Sequence, residues 1–215
     1  MSEIAVGGKK VRISGNLPDV GSVAPDFLLV GTELRDVRLS EFKGSMVIMN
    51  IFQSVDQPVC AETVRRFNEM ADRLDNTKVL CISKDLPFAH ERFNTAEGID
   101  NVISLCELRN NDFGNDYGLR IEEGSWAGLF ARAVLVLDEN LRVVYTQTVP
   151  DTMDEPDYES ASQTIADATV ESTAGLSEQS KSEAMDENYC VKKPTGEHAR
   201  LEDDDDCDES RAGKI

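Results

Sequence analysis

Basic residues are scarce in this chain, where 22 Lys and Arg stand against 41 Asp and Glu for a formal net charge of −19. Binding to nucleic-acid backbones or anionic lipid rests on charge attraction of the opposite sign, so this imbalance opposes both. Small molecules and proteins remain as partners. Long apolar runs are missing too. No window approaches the ~18 apolar residues of a membrane span, and the first twenty residues carry Lys9, Lys10 and Arg12 without an apolar stretch of signal-peptide length. The expected location is the cytoplasm. Histidine is reduced to His90 and His198. The five cysteines are an odd number without a compact spacing framework, which fits free thiols in a reducing compartment rather than a disulfide scaffold. Cys190, His198 and Cys207 match no compact zinc spacing, so no metal site is assigned. Internal repeats are absent as well.

What is present divides the chain at a composition shift. From Ser162 to Ile215 there are fourteen Asp or Glu against six Lys or Arg, with Tyr189 as the sole aromatic. Such a segment buries too little apolar surface to offset its ordering entropy, and the run Asp203 to Asp206 repels itself. The reading is one α/β domain over residues 1–161 and an acidic, disordered tail over 162–215, which serves either solubility or docking to a partner. Within the domain, short apolar strands alternate with helical patterns. Gly7 and Gly8 lie between Ile4-Ala5-Val6 and Val11-Arg12-Ile13, a pattern for an N-terminal β-hairpin because glycine supplies the positive φ of a tight turn. The runs Met46 to Phe52, Val79 to Ile82 and Ala133 to Leu137 are nearly all apolar, as in central strands covered on both faces. Phe27 to Val30 and Val143 to Tyr145 are further strand candidates. Val64, Phe67, Met70, Ala71 and Leu74 recur at helical steps. Two more helices are expected, one from Pro87 to Glu97 and one from Asp157 to Asp167.

Cys60 lies where a buried strand hands the chain, through a short loop, to a helix whose first turn accommodates Pro58. Unpaired N–H groups and the helix dipole favour an anion there, so a thiol in this place loses its proton more readily, and the thiolate is the reactive form. Inert packing is the plainer reading of a lone cysteine. The surrounding residues decide between them.

Asn50-Ile51-Phe52, Ser54-Val55-Asp56, Val59-Cys60-Ala61, Val64-Arg65 and Phe67-Asn68 resemble the active-site segment of bacterial thiol peroxidases, a branch of the peroxiredoxins. The resemblance continues through Asp85-Leu86-Pro87-Phe88-Ala89, Tyr117-Gly118, Ala131-Arg132-Ala133-Val134 and Glu155-Pro156-Asp157-Tyr158, in order across the first 160 residues or so. It implies a thioredoxin-like sheet flanked by helices, usually a homodimer, with no metal or haem. Cys60 matches the thiolate that attacks the O–O bond of a hydroperoxide and becomes a sulfenic acid. Arg132 matches the arginine that holds thiolate and peroxide, a task suited to a permanent charge with forked donors; the competing reading is a surface ion pair. A thioredoxin-like protein or a small thiol is the implied reductant.

Three positions depart from that pattern. Gln53 replaces a proline and Gln57 a threonine, while Asn94 stands where a resolving cysteine is usual. Loss of the proline is expected to open the pocket to water. Gln57 takes the place of the hydroxyl that orients thiolate and peroxide; it has both donor and acceptor atoms, but on a longer stem. Without a thiol at 94 the usual intramolecular disulfide is closed off. Cys81 and Cys106 read as core packing, and Cys190 or Cys207 in the tail is the remaining intramolecular route. Two functions follow: a peroxidase working in a one-cysteine mode, or a degenerate peroxiredoxin that senses oxidants or binds proteins. Disulfide exchange of thioredoxin type is poorly served, because Gln57 and Thr63 occupy the places three residues from Cys60.

Overall fold

The apolar runs become the middle of a sheet, because only strands covered on both faces can carry side chains with no polar alternation. In the computed structural model, which describes residues 2–168, a seven-stranded sheet has the order β4-β3-β7-β6-β5-β8-β9. Its strands are β3 (Leu28–Gly31), β4 (Asp36–Arg38), β5 (Met46–Ile51), β6 (Thr77–Ser83), β7 (Ile103–Cys106), β8 (Ala133–Leu137) and β9 (Val143–Thr148). Central β5 runs parallel to β6 and antiparallel to β8, with Ile51 opposite Ala133. Every residue of β5 and β8 is buried. The α/β, thioredoxin-like reading is borne out. The strands β4 and β7 carried little sequence signal of their own.

The expected hairpin is present as β1 (Ser2–Val6) and β2 (Lys9–Ile13), with Gly7 and Gly8 at φ of 56° and 78°. It is tied to the segment after β9. The Gly7 and Gly8 amides donate to the Asp151 carboxylate at 3.0 and 2.7 Å, and the Thr152 amide donates to the Ala5 carbonyl at 3.0 Å. One sheet face packs under this hairpin on Phe113, Tyr117 and Phe130. The other is covered by helices: Val64 and Phe67 of α1 (Pro58–Ala71), Phe93 of α2 (Pro87–Glu97), and Ala161 and Ile165. Leu74, assigned to α1 by its spacing, lies beyond the end of that helix but still packs against the same cluster. A one-turn helix α3 (Phe113–Asp116) lies between β7 and β8.

The last helix among the described residues, α4, covers residues 158–168. The division drawn at residue 161 therefore cuts through a helix and is corrected. Tyr158, Ala161, Ile165 and Ala168 recur at steps of three and four, and that spacing puts them all on the core cluster. Ala161 and Ile165 are fully or nearly fully buried, so the apolar stripe outlasts the point where overall composition turns acidic. Residues 169–215 lie outside the described residues, and with them the expected disordered tail past residue 168, Cys190, His198 and Cys207.

Candidate active site

Leaving β5, the chain crosses a loop pinned at two points. The Phe52 amide donates to the Ile82 carbonyl at 3.0 Å, and the Asp85 carboxylate accepts from the Ser54 hydroxyl at 2.7 Å and the Val55 amide at 2.8 Å. Gln57 then takes extended angles, φ −86° and ψ 128°, as a residue preceding proline should. Pro58 opens α1 and Cys60 is its third residue. The sulfur thus sits in the first turn, where backbone donors lack helical partners.

Arg132 comes from the other side of β5. It immediately precedes β8, and the pairing of Ala133 with Ile51 sets it beside the loop that leads to Cys60. The guanidinium is completely buried and uses each of its nitrogens. Nη2 donates to Cys60 Sγ at 3.1 Å and to Gln53 Oε1 at 3.4 Å; Nη1 donates to Thr63 Oγ1 at 3.2 Å; Nε donates to the Thr152 carbonyl at 3.1 Å. Thr63 Oγ1 also donates to the Val59 carbonyl at 2.7 Å and accepts from the Tyr158 hydroxyl at 3.3 Å. Among the described residues no carboxylate pairs with Arg132, and the sulfur is the only group touching it that is able to become an anion. A surface ion pair is excluded by its burial.

The expectation that Gln53 would let water in is corrected. Gln53 is 1% exposed and Cys60 0%. The reason is that Gln53 folds inward, with Nε2 donating to the Phe130 carbonyl at 2.8 Å and Oε1 facing Cys60 Sγ at 3.5 Å. The amide fills the space and finds partners for its polar ends. Gln57 is half-buried, and its side chain makes no capping bond; no hydrogen bond joins it to Cys60 or Arg132 among the described residues. Of the three sequence-derived site residues, the fold brings Cys60 and Arg132 into contact and leaves the Gln57 side chain outside that set. Gln53, Thr63, Thr152 and Tyr158 complete it. Thr63 had a signal in its position three residues after Cys60, on the same helix face; the Thr152 carbonyl had none.

Burial pushes Cys81 up to about 12, against a weaker opposing effect of the Asn50 amide, and burial with nearby Asp85 pushes Cys106 up to about 11. Both are held as protonated core side chains, as the sequence suggested. Asn94 exchanges hydrogen bonds with the Ser104 hydroxyl at 3.0 and 3.4 Å. Among the described residues no His, Cys, Asp and Glu cluster is arranged for a metal ion, and no helix is long and apolar enough to cross a membrane. A groove of about 510 Å³ along α1, lined by Arg66, Met70, Arg73 and Tyr158 among others, does not include Cys60.

Comparison with known proteins agrees with this geometry. The Redoxin family model matches residues 19–161. A thiol peroxidase of Corynebacterium glutamicum is 51% identical over 154 residues, covering 72% of this chain and 93% of the relative. A crystal structure of a peroxiredoxin-like protein from Aquifex aeolicus superposes with a TM-score of 0.74 at 30% identity, covering 78% of this chain and 98% of that one. A thiol peroxidase structure from Chromobacterium violaceum shares the fold, with a TM-score of 0.72 at 24% identity over 78% of this chain and 97% of that one. With Cys60 and Arg132 in contact on a matching scaffold, the chain belongs to the Redoxin family, among the thiol peroxidases of the peroxiredoxin group.

Proposed function

We propose that this chain reduces hydrogen peroxide or alkyl hydroperoxides through Cys60. The observation that carries the reading is the 3.1 Å contact between Cys60 Sγ and a buried guanidinium for which no carboxylate partner exists among the described residues. A buried cation needs a compensating anion, because stripping water from a lone charge costs several kcal/mol. A thiolate at Cys60 supplies it. The thiolate attacks one peroxide oxygen, forming an S–O bond as the O–O bond breaks. Sulfur gives up two electrons, and the departing alkoxide or hydroxide takes a proton to leave as alcohol or water. Arg132 stabilises the negative charge as it moves from sulfur to the leaving oxygen. Since the sulfur has no exposed surface, peroxide reaches it when the first turn of α1 moves, and the half-buried Gln57 would then border the entry and orient the peroxide.

The sulfenic acid is resolved in a one-cysteine mode, by a small thiol or a thioredoxin-like protein. Support comes from Asn94, which is engaged with Ser104, and from the buried, protonated state of Cys81 and Cys106. We assign the chain to a homodimer on the family resemblance, and to the cytoplasm on cysteines spaced for free thiols rather than for a disulfide scaffold. The test is stopped-flow reaction of the reduced protein with hydrogen peroxide and an alkyl hydroperoxide. Cys60→Ser should abolish a reaction that far outpaces free cysteine; a rate for the unsubstituted protein no faster than free cysteine would refute the reading. A second function, oxidant sensing, is favoured by the same absence of a thiol at position 94, because an unresolved sulfenic acid persists. Slow turnover with stoichiometric, long-lived oxidation of Cys60 would mark that case.

A further inference from the structure

The amide of Gln53 can face the sulfur in only one way. Its Nε2 donates to the Phe130 carbonyl at 2.8 Å, and its Oε1 accepts from Arg132 Nη2 at 3.4 Å while lying 3.5 Å from Cys60 Sγ. Turning the amide over would set donor against donor at Arg132 and acceptor against acceptor at Phe130. A carbonyl oxygen is therefore presented to Cys60. It has nothing to donate to a thiolate. It can accept a hydrogen bond from the S–OH group formed on oxidation.

We propose that Gln53 is a catalytic residue for the fate of the oxidised sulfur: its Oε1 accepts a hydrogen bond from the Cys60 sulfenic acid, holds it protonated and shields it from a second peroxide. The inference rests on the reading of Cys60 as peroxide-reactive. Overoxidation requires the sulfenate anion to attack another hydroperoxide, forming a second S–O bond and breaking an O–O bond as sulfur loses two more electrons. Arg132 alone would favour that anion. The Gln53 carbonyl opposes it, because an acceptor beside the oxygen stabilises S–OH and repels S–O⁻. Resolution meets no such obstacle: an incoming thiolate attacks sulfur, an S–S bond forms, and the oxygen leaves as water with a proton from solvent. The proline that the thiol peroxidase pattern carries here has no side-chain acceptor, so the device belongs to this chain's own sequence.

The test compares the full chain with Gln53→Met and Gln53→Leu, which keep side-chain bulk without an acceptor and whose folding is checked by circular dichroism. Each is exposed to graded hydrogen peroxide and mapped by mass spectrometry, with a trap for sulfenic acid. The sulfinic-to-sulfenic ratio at Cys60, read at equal extents of first oxidation, should rise about fivefold in the substituted chains, roughly the loss of one hydrogen bond. An unchanged ratio, with Cys60 still forming sulfenic acid, would overturn the role of Gln53 and leave the peroxidase reading standing. No oxidation of Cys60 in the unsubstituted chain would instead overturn the peroxidase reading, and this inference with it. A further measurement needs no variant. After one equivalent of peroxide and its removal, the sulfenic acid of the unsubstituted chain should remain trappable in high yield, and its prompt conversion to sulfinic acid on further peroxide at sulfenic-acid concentrations would overturn the proposal even if neither variant folds.

Discussion

At the scale of single residues, Arg132 carries the most. Its three nitrogens are committed to a sulfur, a hydroxyl, an amide oxygen and a carbonyl, so its orientation is fixed before any substrate arrives. Donors that need no rearrangement are worth more at a transition state than mobile ones. Lysine offers a single ammonium and could not hold these acceptors in one plane. Arg132→Met keeps the bulk and removes the charge, and the rate constant for peroxide should fall by about 10²–10³, as when one preorganised donor to a developing anion is lost. Stopped-flow kinetics beside a circular dichroism spectrum would check it. A loss below threefold in a folded variant would mean that the guanidinium serves packing alone. This pair was legible from the sequence because both residues lie in segments that resemble a known pattern. Gln53 was misread, since a polar residue replacing proline suggests hydration until its two anchors are seen.

At the scale of elements, the decisive joint lies between the ends of β5 and β6. Asp85, just past β6, takes three hydrogen bonds, from the Ser54 hydroxyl, the Val55 amide and the Ser83 hydroxyl at 2.8 Å, and so clamps the loop that aims α1. Asp85→Ala should lower stability by about 2 kcal/mol, since hydrogen bonds to a charged group are among the stronger ones. Chemical denaturation would measure that; an unchanged midpoint would show the clamp to be idle. Behind it, His90 is buried with Nε2 at 3.0 Å from Ser83 Oγ, while Nδ1 has no partner among the described residues. Ser83 gives its proton to Asp85, so His90 donates from Nε2, and protonating Nδ1 would bury an unpaired N–H. Burial accordingly pushes His90 below its ordinary value of 6.5, with Asp85 opposing. Between the lowered folded value and 6.5 the unfolded chain binds a proton that the folded one does not, so stability rises with pH there. The contribution is fully present above about 6.5 and is lost as pH falls through that window. Thermal unfolding should show the decline, and His90→Gln should flatten it; equal slopes in both proteins would contradict the assignment.

At the scale of the whole chain, the sheet was readable because its central strands are apolar on both faces, a pattern few other structures allow. The short β4 escaped notice because three residues with only Val37 buried are too few for an alternating pattern, and β7 because its pairing with β3 is made by a distant segment. The same holds for the Thr152 carbonyl and the Tyr158 hydroxyl, which reach the site only because the segment after β9 folds back under Arg132 and α1. Near the end of the described residues, composition and periodicity disagreed. Charge density pointed to residue 161, whereas the stripe Tyr158, Ala161, Ile165 and Ala168 continues to the end of α4. Periodicity is the better guide, because burial depends on which face a residue occupies and not on the mean polarity of its window. Two truncations separate these criteria. Ending the chain after Ala168 should leave the unfolding midpoint close to that of the full chain. Ending it after Ala161 removes Ile165, which is 3% exposed, and should cost about 2–3 kcal/mol from that side chain alone, visible as a lower denaturation midpoint. Because α4 also carries Tyr158, whose hydroxyl bonds to Thr63, the shorter chain should lose peroxide reactivity along with stability. Equal midpoints for the two truncations would mean that the last turns of α4 contribute nothing to the fold.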